Sequence, residues 1–244
     1  MDNPTTFDWN LIIPSDLSNN NIIMLGRADD EFKRFDLGII AMKTIIKDIP
    51  NCEMNIASFP LEKYKLLIKY LSLEKNVKFL GYQENVEIFL KNSSLHILTS
   101  LSESYPMVLS ETKIFGIPSI ICGLDFLALA KEGTVIIYDD NPTTIAKEAI
   151  KILKNDLYRK KLGKRARNSM KSKKNTIIAQ KWKDLILSIY NGKESYYMDN
   201  SNRNNIMTEK EANKMLNNQL ILLKRRKSYL CNLTLDKLKN YYLK

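Results

Sequence analysis

Six short apolar runs, each followed by a segment of helical spacing, constrain the fold of this chain more than any other feature. The runs cover residues 22–25, 54–58, 77–80, 95–99, 119–122 and 134–138. They are short, apolar and often β-branched, the pattern of strands covered on both faces. Helical spacing predicts helices over 35–49, 62–71, 84–90, 107–115, 126–130 and 143–153 between and after the strands, then over 157–170 and 177–190 with no further strand. The clearest is the first, where Leu37, Ile40, Ala41, Ile45 and Ile46 fall on one face. Such alternation predicts an α/β fold: a parallel, Rossmann-like six-stranded sheet with helices on both faces and right-handed crossovers. In this register the strand order is 3-2-1-4-5-6, and a ligand crevice opens outside the carboxyl ends of strands 1 and 4.

The loops expected at that crevice are chemically suggestive. The loop after strand 1 carries Gly26-Arg27 and then Lys33-Arg34; the loop after strand 4 carries Glu103. Glu111 follows eight residues later on the expected helix, which Gly116-Ile117-Pro118 closes. Carboxylates accept hydrogen bonds from vicinal hydroxyls, so two acids at one turn suit a polyhydroxylated ligand. The competing reading is two solvent-facing acids, one of them favoured by the helix dipole.

Charge adds a preference for anionic partners. The 244 residues carry a formal charge of +11, and the stretch Arg159 to Lys174 holds nine basic residues and no acid. That stretch reads as a solvated helix face or as a contact for a membrane surface. Lys224-Arg225-Arg226-Lys227 is a second cluster. Nucleic acid is not expected as a partner, because no aromatic-rich sheet face or recognition motif accompanies the charge. Cys52, Cys122 and Cys231 are odd in number and widely spaced, so they read as reduced thiols in a cytoplasm-like compartment. The single histidine, His96, lies in the fourth apolar run and reads as a packed strand residue, not a base; no His-rich metal site is expected. The start, Met1-Asp2-Asn3-Pro4, does not read as a signal peptide, and with no apolar run of about 18 residues no membrane span is expected. Residues 1–20 read as a linker with one apolar patch at 9–13. Residues 21–192 read as the α/β domain and 193–244 as a helical tail, with a capping box at Thr208-Glu209-Lys210-Glu211. Tyr196-Tyr197 and Tyr241-Tyr242 read as packing residues.

Four features in order carry a family resemblance: Leu25-Gly26-Arg27 with Lys33-Arg34; Asn76-Val77-Lys78-Phe79-Leu80-Gly81-Tyr82; the Glu103 to Glu111 segment with Gly116-Ile117-Pro118; and Asp139-Asp140 with the helices that follow. Together, over about residues 20–192, the chain resembles the C-terminal nucleotide-sugar-binding domain of the GT-B retaining glycosyltransferases of family 4. The resemblance implies that Arg27 and Lys33 bind the donor diphosphate, that Glu103 approaches the donor sugar, and that Glu111 accepts from the ribose hydroxyls. It also places backbone N–H groups around Tyr105, Pro106, Met107, Val108 and Leu109 at sugar or phosphate, and Tyr82 near the base. Pro106 suits the first helical position, and a free helix start favours an anion. No Asp-x-Asp occurs, and Asp29-Asp30 and Asp139-Asp140 read as caps, so a metal-independent transferase with no cofactor beyond its nucleotide-diphosphate sugar is expected. The turn after strand 2, Ile56-Ala57-Ser58-Phe59-Pro60, lacks the usual glycines, and Ser104-Tyr105 replaces the common pairing after the first acid. The N-terminal half of the GT-B pair is not recognisable. The resemblance therefore implies a missing half or a second chain that supplies it, the alternative being a non-catalytic nucleotide-sugar-binding or scaffold subunit.

Overall fold

A computed structural model describes residues 3–5, 7–27, 31–125 and 127–191. Strands β1 (Asn21–Leu25), β2 (Glu53–Ala57), β3 (Val77–Phe79), β4 (Leu95–Leu98), β5 (Ser119–Cys122) and β6 (Thr134–Ile137) form one sheet in the order β3-β2-β1-β4-β5-β6. All pairings are parallel. This is the order the alternation predicts. Ile22 stands opposite Met54 on one side and Leu95 on the other, and His96 opposite Ser119.

Coverage of the sheet is uneven. In β4 and β5 every residue is buried, and in β1 every residue after Asn21. In β2 burial alternates, with Met54 and Ile56 inside and Glu53, Asn55 and Ala57 half-buried. The expectation of strands covered on both faces thus holds for the centre of the sheet. On the partly open face Lys78 of β3 pairs with Glu53 of β2 at 2.9 Å.

The helices are α1 (Phe35–Asp48), α2 (Glu62–Tyr70), α3 (Glu87–Lys91), α4 (Met107–Ile114), α5 (Pro142–Lys154), α6 (Asp156–Ser169) and α7 (Asn175–Tyr190). α3 starts later than expected because Asn85 Oδ1 accepts from Glu87 N–H at 2.9 Å and turns the chain first. α5 starts where the sequence signals it, with Asn141 Oδ1 accepting from Thr143 N–H and Pro142 in the first turn. In place of a helix over 126–130 there is a 3₁₀ turn at Ala128–Ala130. Gly38 and Gly163 are among the glycines that set close approaches. A Cβ on Gly38 of α1 would lie 2.5 Å from Met24 Sδ of β1. A Cβ on Gly163 of α6 would lie 2.2 Å from the carbonyl oxygen of Gly116, the residue that ends α4 in a left-handed turn at φ 73°.

The segment before β1, read from sequence as a linker, packs on the domain. Phe7 meets Phe115 edge-on at 5.1 Å, Ser15 N–H donates to Phe115 O, Ser15 Oγ donates to Ser93 O, and Ile12 and Leu17 are buried. The basic stretch 159–174 does not act as one face. Arg159 is buried against Asp156 and the Leu153 carbonyl, Arg165 pairs with Glu132, and Arg167 reaches Ile114 O beneath the Trp9 ring. Lys160, Lys161, Lys164 and Lys171 stay exposed. Cys52 and Cys122 are buried and unbridged; burial pushes the Cys52 thiol up to about 12.

The chain divides into two compact units, residues 1–181 and 182–244. Of the second, residues 182–191 are described. They are the later part of α7, where Trp182, Ile186, Ile189 and Tyr190 are exposed. The tail expected over 193–244, with Lys224–Lys227, Cys231 and the tyrosine pairs, lies outside the described residues.

Candidate functional site

β1 and β4 are neighbours with crossovers leaving in opposite directions, so their carboxyl ends form the switch point of the sheet. Beyond β1 the chain passes Gly26 at φ 146° and exposed Arg27, and re-forms as a short 3₁₀ turn, Glu31–Lys33. Beyond β4 it runs through Thr99 to Glu103 and then enters α4. The two loops are stitched together: Leu101 N–H donates to Phe32 O at 2.7 Å, and Thr99 Oγ1 donates to Lys33 O at 2.6 Å.

At the mouth of these loops Lys33 Nζ and Glu103 Oε1 are 2.6 Å apart, with side chains only 18% and 12% exposed. The structure therefore joins the cation and the acid that the sequence reading assigned to opposite ends of one ligand. Lys33 is thus a paired, largely covered cation and not a solvated one. A half-buried ion pair of this kind is a charge-matched site, which a ligand can enter by giving each partner a new counterpart.

Helix α4 carries the second acid. Pro106, at φ −72° and ψ 97°, flanks the helix, and Met107 is its first residue. This corrects the expectation of proline at the first helical position, because its ψ keeps it extended. Leu109 N–H donates to Pro106 O, whereas the N–H groups of Met107 and Val108 have no partner among the described residues. Glu111, one turn on, is half-buried, as are Tyr105, Met107 and Val108, while Leu109 is buried. Tyr82 follows Gly81 (φ 75°) beyond β3 and is 70% exposed. In the strand order β2 separates β3 from β1, so Tyr82 belongs to the outer part of the same sheet end. Phe59, beyond β2, is likewise exposed and lies next to Gly81.

Sequence reasoning missed a second charge pair. Arg34 is 3% exposed; its Nη1 lies 2.9 Å from Asp140 Oδ2 and its Nη2 donates to Asp140 Oδ1 at 3.1 Å, a two-pronged fork. Its Nε donates to Thr99 O at 2.8 Å. Burial works against the guanidinium's charge, and the hydrogen bond and attraction of Asp140 outweigh it, so Arg34 is held more basic than usual. Asp140 is thus not a cap, contrary to expectation. Asn141 caps α5, and Asp139 accepts from Asn141 N–H at 3.2 Å and Thr144 Oγ1 at 2.7 Å. Asp29 and Asp30 lie outside the described residues. The available signal was the Lys33-Arg34 dipeptide, of which only the first member was assigned a role.

His96 sits inside the sheet, fully buried, with Nδ1 3.1 Å from Ser119 Oγ and 3.3 Å from Thr112 Oγ1. Burial, with a smaller contribution from the Lys113 charge, pushes its pKa down to about 3. It is a packed strand residue, neutral and closed to a ligand at the crevice. No group of three or more potential metal-ligating side chains occurs among the described residues, and no helix among them is long and apolar enough to cross a membrane.

Comparison with known proteins converges on one family. Residues 10–169 match the family described as glycosyl transferases group 1. Over 114 residues the chain is 35% identical to N-acetyl-alpha-D-glucosaminyl L-malate synthase of Bacillus anthracis, covering 43% of this chain and 28% of that protein. Across its curated relatives the chain spans 28% to 54% of their length. The fold is shared with the C-terminal domain of a group 1 glycosyl transferase family protein from Francisella tularensis, at TM-score 0.59 and 15% identity, covering 68% of this chain and 97% of that one. It is also shared with HepE of Anabaena, solved with UDP and glucose, at TM-score 0.61 and 18% identity, covering 73% and 54%.

Proposed function

The chain belongs to the glycosyl transferases group 1 family, and on that premise we propose that it is the donor half of a GT-B retaining glycosyltransferase, binding a nucleotide-diphosphate sugar at the ends of β1 and β4. The observation that carries the reading is the Lys33–Glu103 pair at the switch point. A diphosphate entering there gives Lys33 a stronger counter-charge and frees Glu103 to accept hydrogen bonds from the sugar. Arg27 is exposed on the same loop and joins Lys33 on the phosphates. The unpartnered N–H groups of Met107 and Val108 offer donors to the same anion. Glu111, one turn along α4, accepts from the ribose, and Tyr82 lies against the base.

The chemistry follows from where charge develops. Breaking the anomeric bond leaves negative charge on the departing diphosphate and positive charge on the sugar ring. Arg27, Lys33 and the start of α4 stabilise the first, and Glu103 stabilises the second. On this reading two cations and a helix start carry the leaving-group charge, the part a metal ion would otherwise play. The acceptor side of the cleft comes from a second Rossmann-like half, in the same polypeptide or in a partner chain.

Calorimetric titration of the full chain with a panel of nucleoside diphosphates and their sugars tests this. One nucleoside diphosphate is expected to bind, and Lys33→Met is expected to weaken it about tenfold, roughly 1.4 kcal/mol. No saturable binding across the panel, or undiminished binding by Lys33→Met, would overturn the reading.

A further inference from the structure

Arg34 follows the assigned phosphate cation directly, yet its side chain turns inward. A buried guanidinium is tolerated only where its charge and its N–H groups are matched, and here Asp140 takes the fork and Thr99 O takes Nε. Both ends of the pair stand in left-handed backbone, Arg34 at φ 47° and Asp140 at φ 51°. Neither is glycine, so each turn needs its surroundings to hold it, Arg34 more than Asp140, whose short polar side chain tolerates this region better. Thr99 closes the circuit. Its hydroxyl grips Lys33 O while its carbonyl grips Arg34. The backbone of Lys33 is therefore fixed through β4 and the loop after β6, whereas its ammonium is held by Glu103, the one contact a diphosphate would replace.

We infer that Arg34, Thr99 and Asp140 are positioning residues for the donor diphosphate: they fix the turn from which Lys33 projects, so that Lys33 stays aimed at the crevice when Glu103 lets go. The inference rests on the reading of Lys33 as a phosphate ligand. A purely architectural role for the same residues has a different signature, a loss of stability with no discrimination between ligands.

The test compares wild type, Asp140→Asn, Thr99→Val and Lys33→Met in the full chain, with Asp140→Asn and Thr99→Val also each combined with Lys33→Met. Affinity is measured for the nucleoside diphosphate that wild type binds most tightly and, by ligand-observed NMR, for the matching nucleoside. Asp140→Asn and Thr99→Val are each expected to lose about tenfold in diphosphate affinity and less than about twofold for the nucleoside. Neither should cost anything further once Lys33 is Met, because coupled residues acting through one group are not additive. Equal losses for both ligands, or losses that add in full to that of Lys33→Met, would overturn the inference. If Lys33→Met itself binds the diphosphate normally, the functional reading falls and takes the inference with it. If Lys33→Met loses affinity while the other two variants keep it, the positioning role alone falls. Thr99→Val is nearly isosteric and carries the test should Asp140→Asn fail to fold.

Discussion

At the scale of single residues, the Lys33–Glu103 contact separates the two acids of α4 and the loop before it. Both acids were legible in the sequence, but the sequence could not say that one is already paired. Glu103 holds Lys33 at 2.6 Å; on the proposed reading it competes there with phosphate, so Glu103→Gln releases the ammonium. Affinity for a plain nucleoside diphosphate is then expected to rise about two- to fivefold, the scale of a partly exposed ion pair, while affinity for the intact donor sugar falls. Glu111→Gln is expected to weaken plain nucleotide and intact donor alike, since the ribose is common to both. Competition titrations decide it: a Glu103→Gln chain that loses plain nucleotide as strongly as donor would place Glu103 on the nucleotide instead. What stayed hidden was Arg34–Asp140. Its partners are 106 positions apart, each is flanked by a residue of like charge, and only the tertiary fold decides which of Lys33 and Arg34 turns inward.

At the scale of elements, strand positions were readable because an apolar run bounded by polar residues has few ways to sit in a parallel sheet; each observed end lies within one residue of the expected one. Helix packing was not readable, because it depends on side chains that are missing. Gly163 stands in a basic segment where nothing local marks a contact, yet it lets α6 lie on the end of α4. The obstacle to a Cβ there is a backbone oxygen, which cannot swing aside as a side chain would. Gly163→Ala is therefore expected to destabilise the domain by about 1–3 kcal/mol despite the better helix propensity of alanine. Lys164→Ala, next door and exposed, should stay within about 0.5 kcal/mol. Urea unfolding of the two variants side by side tests the claim, and equal midpoints would refute it. In the segment before β1, Phe7, Ile12 and Leu17 find cover on the domain; the apolar patch at 9–13 marked Ile12, but no local pattern marked the other two.

For the molecule as a whole, strand order was legible because one-handed crossovers leave few arrangements for this run of strands and helices, and six strands suit the doubly wound order found; the switch point follows from it. The buried polar groups that this sheet encloses were not legible, and they couple stability to pH. His96 is neutral in the fold, its pKa depressed to about 3 against 6.5 for a free imidazole. Between those values the unfolded chain binds the extra proton, so stability rises with pH there. The contribution is complete above about pH 6.5 and is lost as pH falls, by up to about 1.4 kcal/mol per unit. Measuring urea unfolding from pH 7 down to 5 keeps most carboxylates charged and stays below buried Lys113, whose pKa burial pushes down to about 8. Wild type is expected to lose stability along that path. His96→Gln, which keeps hydrogen-bonding capacity toward Ser119 and Thr112 but cannot titrate, should start lower and stay nearly level, so the two curves converge toward acid. Parallel curves would mean that His96 keeps its ordinary pKa inside the sheet, and that the sheet is open to water at its centre.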